Sequence, residues 1–507
     1  MKLDGVIVFK RWNLKGGLDL EGHKDLSRQY SIINAAIPDQ LIYPLVDRSG
    51  NAMTVLVKTG DRVLKGQVIA GSKGVQGTLL HAASSGLVKE NEWRMIAHPS
   101  GLKSWCLIIA TDGLDEPGPV YEPVDYTQLS AADICEKVHQ AGIVGLGGAS
   151  FPTAVKITPN NVRAVDTLII NGAECEPYIT CDDRLMQQYP SEILLGIQVL
   201  LRALAIESCV IGIEEDMPEA IEAIQQAIEC SGFKQIQVKV VPAVYPVGGE
   251  RQLIYLLTGR ETPSQGLPVD VGVVCQNVGT VMAVYQAIVK GQVLIERVVT
   301  VTGLGIKKPQ NRWVRIGTPI KDLVSQCGGY NGPIERLIMG GLMMGFSLPD
   351  DGVGITKATN CILVATSKEV TKSSEAEIQP CIRCGECASA CPVNLLPQQI
   401  YWHSQGGAHQ KCQSFGLFDC IECGCCDVVC PSHIPLVQYF RASKSKLFLK
   451  RREDEAATLA KQRFENRDTR KVQEKVEREQ RIRLKKLALV KLQKGRPSAP
   501  AKMQDKS

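Results

Sequence analysis

Two cysteine runs in the last third of the chain constrain it more than any other feature. Each run has three cysteines separated by two residues, a fourth cysteine after three more, and then a proline. The runs are Cys381-x2-Cys384-x2-Cys387-x3-Cys391-Pro392 and Cys420-x2-Cys423-x2-Cys426-x3-Cys430-Pro431. This spacing is typical of paired [4Fe–4S] clusters, because a closely spaced trio of soft thiolates wraps one corner of a cubane. The sequence therefore predicts a protein that moves electrons one at a time.

The ligand sets follow from the way such runs are used. In two-cluster ferredoxins the fourth cysteine of each run serves the other cluster. We therefore assign one cluster to Cys381, Cys384, Cys387 and Cys430. The other cluster takes Cys391, Cys420, Cys423 and Cys426. Zinc is the alternative, but four-cysteine zinc sites usually show paired C-x2-C knuckles instead of a trio followed by Cys-Pro. Cys412 and Cys425 fall outside the register and are predicted to be unligated.

The remaining composition is typical of a large cytoplasmic protein. The chain has 507 residues, of which 44% are hydrophobic and 22% charged, enough for several domains with ordinary cores. We expect no transmembrane helix, because no apolar stretch reaches about 18 residues. The first residues, Met1 to Gly5, do not resemble a secretory signal. Of the 19 cysteines, nine lie outside residues 381–430 and are predicted to be packing residues.

Charge is unevenly distributed along the chain. Residues 441–507 contain 22 Lys and Arg against 9 Asp and Glu, a net charge of +13, whereas the first 440 residues carry −8. Residues 445 to about 493 are predicted to form a charged helix, which Gly495 to Pro500 would end before disordered last residues. The mixed signs favour a solvated helix, and attraction to an anionic membrane surface is the alternative. No nucleic acid partner is expected, because no recognition motif accompanies the charge.

Short strands and turns fill residues 39–109. Strand-like segments at 55–57, 63–64 and 68–70 alternate with glycine-containing turns. The pattern resembles the barrel-sandwich fold of biotinyl and lipoyl carrier domains, whose modified lysine lies at a hairpin tip. The corresponding region, Gly77 to His81, has no lysine, so we expect a module that is not a carrier. An unrelated small β-domain is the alternative.

The middle of the chain alternates helical and strand patterns. Helices are predicted at 130–141, where Ser130 can cap, and at 191–204 and 218–229, and buried strands at 166–171, 209–213 and 236–241. Such alternation favours a mostly parallel α/β sheet. A strand at 297–303 then opens a segment broken by glycines and prolines, which resembles the β-grasp fold of soluble-ligand-binding (SLBB) domains.

A glycine-rich loop, Gly145-Leu146-Gly147-Gly148-Ala149-Ser150-Phe151-Pro152, follows the first of these helices. It is not a Rossmann fingerprint, because Ser150 stands where the third glycine belongs and a helix precedes the loop. Glycines expose backbone N–H groups, and Lys156 lies nearby, so a phosphate or a flavin can lie against the loop. On these residues alone, a structural turn is the alternative.

Four segments together resemble the flavoprotein subunit of respiratory NADH dehydrogenase. The loop matches its G-x-G-G-A-x-F-P segment, and residues 171–177, 245–250 and 276–280 match its N-x-x-E-x-E-P, Y-x-x-G-E and N-N-V-x-T segments. Leu146 and Gln276 replace an arginine and an asparagine of that subunit. With the barrel-sandwich module in front and the two-cluster domain behind, residues 1–445 resemble the C subunits of Rnf/Rsx-type ion-translocating electron-transport complexes. Residues 339–345 also resemble a segment of that family.

The resemblance implies a role for residues in each segment. FMN would be cradled by Gly145, Gly147, Gly148 and Lys156. Its pocket would be completed by Asn171, Glu174, Gly249, Asn277 and Thr280. NAD(H) would be faced by Phe151 and Glu176, and Glu250 would lie near either ligand. Asn171 also ends an apolar strand, where open α/β sheets bind ligands. A solvated turn is the alternative for the two acids at 174 and 176.

The predicted fold class is multidomain α/β and α+β. The domains are a barrel-sandwich hybrid at 1–120, a Rossmann-like FMN/NADH-binding α/β domain at 125–290, a β-grasp SLBB domain with its following segment at 296–367, a two-cluster ferredoxin-like helical domain at 370–440, and a charged helical tail at 441–507.

The expected function is NADH-linked electron transfer through FMN and two [4Fe–4S] clusters, in either direction, within a membrane-bound ion-translocating oxidoreductase. No catalytic side chain is named, because hydride transfer is the cofactor's chemistry. The expected partners are integral membrane and iron–sulfur subunits of the same complex, with ferredoxin or flavodoxin as the distal partner. The expected location is peripheral, on the cytoplasmic side of the bacterial inner membrane. The alternatives are a soluble flavin subunit of a hydrogenase or NAD–ferredoxin oxidoreductase, and a flavin-free relay protein.

Overall fold

The structure is a computed structural model that describes residues 14–47, 50–72, 74, 77–119, 121–158, 165–370 and 378–494, with side chains to residue 490. Its strands are β1 (Ile33–Asn34), β2 (Gln40–Pro44), β3 (Thr54–Val55), β4 (Arg62–Val63), β5 (Val68–Gly71), β6 (Leu79–His81), β7 (Gly86–Val88), β8 (Glu92–Met95), β9 (Lys103–Thr111), β10 (Thr167–Gly172), β11 (Cys209–Glu214), β12 (Ile236–Val241), β13 (Val273–Asn277), β14 (Glu296–Thr302), β15 (Gln310–Arg315), β16 (Arg336–Met339), β17 (Phe346–Leu348) and β18 (Cys361–Ala365). Its helices are α1 (Asp25–Arg28), α2 (Ala131–Gln140), α3 (Thr153–Ile157), α4 (Cys181–Gln188), α5 (Pro190–Leu204), α6 (Pro218–Ser231), α7 (Glu250–Thr258), α8 (Val278–Val289), α9 (Ile320–Gln326), α10 (Glu386–Ser389), α11 (Pro397–Gln405), α12 (His409–Ser414), α13 (Cys425–Val428) and α14 (Leu436–Lys494). Short 3₁₀ turns cover Tyr126–Gln128, Pro268–Val271 and Leu417–Asp419. The first 13 residues and the predicted end of the tail helix at 495–500 lie outside the described residues.

The amino-terminal module consists of two small sheets of short strands. One sheet has the order β2-β9-β7-β4 with β8 also paired to β9, and the other has the order β3-β5-β6. Tyr43 is fully buried between them, and its hydroxyl accepts a hydrogen bond from the Ala83 N–H. The lysine-free segment forms β6 and lies against the rest of the chain, since Lys357 Nζ donates to the Leu79 carbonyl at 2.7 Å.

The α/β unit is built on a parallel sheet with the order β12-β11-β10-β13. The predicted helices and strands here are confirmed to within about two residues at each end. Ser130 caps α2 as predicted and forms a capping box with Asp133. Helices α5 and α8 pack on the sheet, and their apolar faces supply much of the largest buried core. The sheet order places β10 beside β13, so that their carboxyl ends meet.

The β-grasp unit is a mixed sheet with the order β1-β15-β14-β18-β16-β17. Its central strands, β14 and β18, run parallel, and helix α9 covers a separate apolar core. Strand β1 comes from the amino-terminal segment before the barrel sandwich and pairs in parallel with β15. The amino-terminal segment therefore crosses to a domain that lies much later in the sequence.

The cysteine runs lie among short helices that pack on the first turns of α14. Ile400 of α11 and Phe440 of α14 are both buried in this small core. Helix α14 begins at Leu436, earlier than the predicted start at residue 445, because Leu436, Val437 and Phe440 belong to that core. From residue 450 to 490 every side chain is exposed, and the whole helix is about 90 Å long. Across the described ranges, no helix is both long and apolar enough to cross a membrane.

Candidate functional site

Two asparagines stand side by side at the carboxyl end of the parallel sheet. Asn171 of β10 is the register partner of Asn277 of β13. Asn171 Nδ2 donates to the Gly248 carbonyl at 2.8 Å, and this bond holds the segment before α7 at the end of β10. Asn277 caps α8, since its Oδ1 accepts from the Gly279 N–H at 2.9 Å. The structure thus brings three of the four resembling segments together at one sheet edge, where α/β proteins bind ligands.

The glycine-rich loop completes this group. The Leu146 N–H donates to Thr280 Oγ1 at 2.9 Å, and the position of a Cβ on Gly147 would lie 3.2 Å from Asn277 Cβ. The Gly145 N–H donates to the Phe151 carbonyl and closes the loop on itself. Gly148 has φ +107°, and its Cβ direction points into open space. Gly148 is therefore the loop residue whose backbone conformation favours glycine and which leaves open space beside the loop.

Lys156 and Glu250 meet at the same edge. Lys156 Nζ donates to Glu250 Oε1 at 2.5 Å and to the Cys275 carbonyl at 2.6 Å. Gly249 is the residue before α7, and a Cβ there would collide with the Gln252 side chain. The ion pair leaves Lys156 partly exposed beside the sheet edge. Lys156 is the charged residue among those predicted to cradle FMN, and its ammonium group is already paired with Glu250.

Glu174 is directed away from open space and into the start of α4. Its carboxylate accepts from the N–H groups of Asp182 and Asp183, at 2.9 and 3.1 Å. Burial raises the pKa of Glu174, and the nearby Asp182 carboxylate adds to this. Asp182 in turn accepts from Asn277 Nδ2 at 2.6 Å. Glu174 therefore supports the site through Asp182 and Asn277, a chain of contacts that the sequence did not indicate.

Glu176 joins the α/β unit to the β-grasp unit. Its carboxylate accepts from the backbone N–H groups of Met343 at 3.1 Å and Met344 at 2.8 Å. Burial raises the pKa of Glu176 to about 7, against the effect of these two donors. A Cβ on Gly341 would collide with the Glu176 carboxylate, so the turn at 340–345 closes on this side chain. The segment at 339–345, which resembles the Rnf/Rsx-type family, is thus placed directly beside a predicted dinucleotide-facing residue.

Four buried polar atoms around this edge have no partner among the described residues. They are Ser150 Oγ, Thr153 Oγ1, Gln252 Oε1 and Gln276 Nε2. They come from the glycine-rich loop, α3, α7 and the end of β13, the elements that carry the resembling segments. Buried polar groups are normally paired, so this set indicates a polar ligand. Phosphate, ribityl and ring atoms of FMN would supply both donors and acceptors, and the residues therefore fit the group.

Arg297, which no sequence motif singled out, also acts on the loop. It is buried, and its Nη2 donates to the Leu146 carbonyl at 2.9 Å. Its Nη1 donates to the Lys357 carbonyl at 2.5 Å. The signal available in the sequence was a single arginine directly before the run Val298-Val299-Thr300-Val301 of a predicted strand. Such a residue needs acceptors when it is buried, and here they are backbone carbonyls.

The first predicted cysteine set surrounds one cavity. A space of about 120 Å³ is lined by Cys381, Cys384 and Cys387 together with Cys430 from the second run. Tyr401 and Trp402 of α11 form another wall. This arrangement is the one that crossed ligation requires, because the fourth thiol arrives from the other run. The four thiols and their apolar surroundings fit a [4Fe–4S] cluster.

The second set brings Cys391 to the trio of the other run. Burial raises the pKa of Cys391, and the adjacent Cys423 sulfur adds to this. The Glu422 N–H points to Cys420 Sγ at 3.4 Å, and the Leu395 N–H to Cys391 Sγ at 3.3 Å. Backbone N–H groups aimed at sulfur are a feature of iron–sulfur sites. Cys412 lies apart, fully buried, with its S–H directed to the Ile400 carbonyl.

The second cysteine set also contacts one of the segments that resemble the flavoprotein subunit, residues 245–250. Tyr245 Oη donates to the Cys423 carbonyl at 2.6 Å. A small apolar cluster at this junction contains Tyr245, Cys423 and Cys425, with Cys175 and Met343 packed against it. The carboxyl edge of the parallel sheet with the glycine-rich loop, where FMN is predicted to bind, is here called the flavin edge. The flavin edge and the second cysteine set are therefore neighbours.

Four family models match successive parts of the chain. They are the RnfC barrel sandwich hybrid domain at residues 12–114, the Nuo51 FMN-binding domain at 138–286, the SLBB domain at 298–347 and the 4Fe-4S dicluster domain at 377–434. These matches confirm the predicted fold class and the FMN and [4Fe–4S] domains. The ligand role of each individual residue stays a prediction, as do the domain boundaries.

A structure of an NAD⁺-reducing [NiFe]-hydrogenase in the air-oxidized state is similar over 56% of this chain and 54% of its own, with 20% identity and a TM-score of 0.43. Curated relatives are much more similar in sequence. The C subunit of the ion-translocating oxidoreductase complex of Vibrio cholerae serotype O1 is 46% identical over 94% of this chain and 61% of its own length. The protein of the same name from Pseudomonas aeruginosa is 44% identical over 90% of this chain and 58% of its own. The chain therefore spans about three fifths of the length of these relatives.

The relative from Yersinia enterocolitica, which carries the same name, is 47% identical and matches 95% of this chain and 68% of its own length. The match of 481 residues is long enough to include the barrel sandwich, the flavin edge, the β-grasp unit and both cysteine runs. The chain belongs to the RnfC family, the C subunits of ion-translocating oxidoreductase complexes.

Proposed function

We propose that this chain passes electrons between NADH and two [4Fe–4S] clusters through FMN, within a membrane-bound ion-translocating oxidoreductase. The observation that carries the proposal is the contact between Tyr245 and the Cys423 peptide, at 2.6 Å. This contact places the flavin edge directly beside the second cysteine set, with no other domain between them. When bound, FMN takes an electron pair from NADH and releases electrons singly to clusters, and the chain's own part is to hold these centres in order.

The flavin end of this path is held by the glycine-rich loop and the two asparagines. Gly148 leaves room for a ligand, whereas Gly147 lies close against Asn277 and the Leu146 N–H is held by Thr280. The unpartnered atoms of Thr153 and Gln276 supply polar contacts within the edge. These residues would hold FMN, and Lys156 would meet its phosphate in competition with Glu250.

The dinucleotide end is proposed at Phe151 and Glu176. Phe151 lies at the end of the glycine-rich loop and is partly exposed, as a stacking residue should be. Glu176 has both carboxylate oxygens occupied by backbone N–H groups of the β-grasp turn. A ribose hydroxyl can still donate to a carboxylate oxygen, since each has two acceptor positions. Glu176 would then contact the dinucleotide and the β-grasp unit at the same time.

The two clusters are proposed to work in a fixed order. The set of Cys391, Cys420, Cys423 and Cys426 would exchange electrons with FMN, because it lies against Tyr245. The set completed by Cys430 would exchange electrons with an outside partner, because Cys384 is exposed at the surface. Neighbouring exposed residues such as Ile382 and Arg383 would then lie at the interface with that partner.

The expected partners are integral membrane and iron–sulfur subunits of the same complex, with ferredoxin or flavodoxin at the far end. The chain itself would be peripheral, on the cytoplasmic side of the bacterial inner membrane. The names of its relatives, which are subunits of ion-translocating oxidoreductase complexes, support membership of such a complex. Either direction of electron flow is compatible with the arrangement.

The test is anaerobic purification followed by iron, flavin and optical analysis. We expect about eight irons per chain, from two [4Fe–4S] clusters, with equimolar FMN. Added NADH should bleach the flavin band first and the cluster absorbance afterwards. A preparation with full iron content but no flavin would show a flavin-free relay instead. Stoichiometric zinc would overturn the cluster assignment.

A further inference from the structure

Residues 15–18, here called the glycine strap, run between the flavin edge and the second cysteine set. On one side the Gly17 N–H donates to the Ala390 carbonyl at 3.0 Å. On the other side Leu18 and Tyr245 exchange two backbone hydrogen bonds, of 2.7 and 2.9 Å. The strap is therefore bonded both to the residue before Cys391 and to the residue that reaches Cys423.

Both glycines of the strap are required by close backbone approach. At Gly16, with φ +64°, a Cβ would lie 2.6 Å from the Cys391 carbonyl group. At Gly17, with φ +89°, a Cβ would lie 2.8 Å from the Tyr245 carbonyl oxygen. Real side chains do not tolerate such distances, so any larger residue would push the cysteine set and the flavin edge apart.

The segment that follows the strap, residues 22–28, is anchored to the α/β unit independently of the cysteines. Lys24 is buried and pairs with Glu214 at 3.3 Å and Asp216 at 2.9 Å. Arg28 pairs with the buried Asp183 at 2.7 Å. The Tyr178 N–H donates to the Gly22 carbonyl. The strap is thus continuous with a segment fixed to the α/β unit, and its Gly16 lies against Cys391 of the ferredoxin-like unit.

Tyr245 and the strap reach the second cysteine set from both of its runs. The strap touches Cys391, which comes from the first run, and Tyr245 touches Cys423, which comes from the second. Tyr245 is buried, so its hydroxyl hydrogen bond is shielded from water. The O–H dipole points its positive end at the Cys423 peptide, and such dipoles influence cluster potentials.

We propose that Gly16, Gly17 and Tyr245 are positioning residues that hold the second cluster at its working distance from FMN and set its potential. This inference rests on the proposed function. It adds the residues that determine the distance between FMN and the second cluster, and so the electron transfer between them. It requires that disturbance of these residues affects the second cluster and not the first.

The main test is Tyr245→Phe, which removes one hydroxyl and keeps the ring. In a redox titration followed by electron paramagnetic resonance, we expect the midpoint potential of one cluster to fall and the other to stay at its wild-type value. The control is Tyr330→Phe, which removes a hydroxyl that donates to Asp351 in the β-grasp unit. Iron content is measured in parallel to show that both clusters are present. Unchanged potentials of both clusters in Tyr245→Phe would overturn the role of Tyr245.

The second test is Gly16→Ala, with Gly101→Ala as the matched control. Gly101 has φ +61°, close to that of Gly16, but nothing lies within 4 Å of its Cβ direction. Any difference between the two variants therefore reports the contact with Cys391 and not backbone strain. In stopped-flow experiments with NADH, we expect flavin reduction at the wild-type rate and cluster reduction several-fold slower in Gly16→Ala alone. Equal cluster reduction in both variants would overturn the role of the strap, whereas a wild-type chain without FMN or clusters would overturn the proposed function itself.

Discussion

Arg297 of the β-grasp unit donates a hydrogen bond to the backbone carbonyl of Leu146, 2.9 Å away, in the glycine-rich loop. The loop is thereby held from a strand that is far away in the sequence. The guanidinium is buried, and its desolvation lowers the pKa of Arg297. The geometry of the flavin edge thus depends in part on the β-grasp unit, which also places its turn at 340–345 against Glu176.

Arg297→Met should loosen this loop. We expect the free energy of unfolding to fall by about 2 kcal/mol, because a charged hydrogen bond is lost and the Leu146 carbonyl is left without a partner. FMN content after gel filtration should fall, with iron content unchanged. Arg62→Met, at an exposed ion pair, is the control and should change neither quantity. Full FMN retention in Arg297→Met would show that the loop does not need this anchor.

Gly148→Val should exclude FMN while leaving the clusters in place. The new side chain would fill the open space in front of the loop at a φ of +107°, a region that β-branched residues avoid. The measurement is the ratio of flavin to protein and of iron to protein in the purified variant. Gly60→Val is the control, since Gly60 has φ +89° and nothing within 4 Å of its Cβ direction. Wild-type flavin content in Gly148→Val would mean that FMN binds elsewhere.

Cys430→Ser should destroy the cluster that shares its cavity with Cys381, Cys384 and Cys387. We expect iron to fall from about eight to about four per chain, as crossed ligation requires. The surviving cluster should be the one beside Tyr245, with its resonance spectrum retained. Cys425→Ser should keep both clusters. If Cys430→Ser instead removed the cluster of Cys420, Cys423 and Cys426, the crossed assignment would be wrong.

Glu176 should give a measurable pH dependence. Its pKa is raised to about 7 by burial, so the folded protein binds a proton here that the unfolded chain releases at lower pH. The stabilising contribution is therefore complete below the unfolded pKa, near 4.5, and is lost as pH rises through about 7. We expect the difference in Tm between wild type and Glu176→Gln to shift against the wild type from pH 5 to pH 8. A difference that stays constant with pH would contradict the raised pKa.

Deletion of residues 450–507 should leave the electron-transfer core intact. Side chains from 450 to 490 are all exposed, and every proposed cofactor residue lies before residue 431. We expect NADH-dependent flavin reduction at the wild-type rate. If the tail contacts an anionic membrane, the deletion should also weaken membrane attachment at low salt, since each nearby Lys or Arg contributes about 1 kcal/mol. Unchanged salt dependence of attachment would mean that the tail is a solvated helix only.

Local patterns predicted those parts of the structure that neighbouring residues determine. The cysteine spacing, the apolar strand that ends at Asn171 and the cap at Ser130 are each encoded within about ten residues. The β-grasp turn on Glu176, the Arg297 contact with the loop and the Tyr245 contact with Cys423 each join distant segments. Periodicity carries no information about which distant segment a buried side chain meets, so these contacts needed the structure.

The pairing of β1 with β15 has a consequence for the order of assembly. Asn311 Nδ2 donates to the Ser27 carbonyl, 284 residues earlier in the chain. During synthesis this segment leaves the ribosome before the β-grasp strands, so it cannot pair with β15 until those strands have been translated. Contacts of such long range are slow to close. Residues 27–34 are therefore synthesised well before the strand with which they pair, and we expect them to dock late in folding.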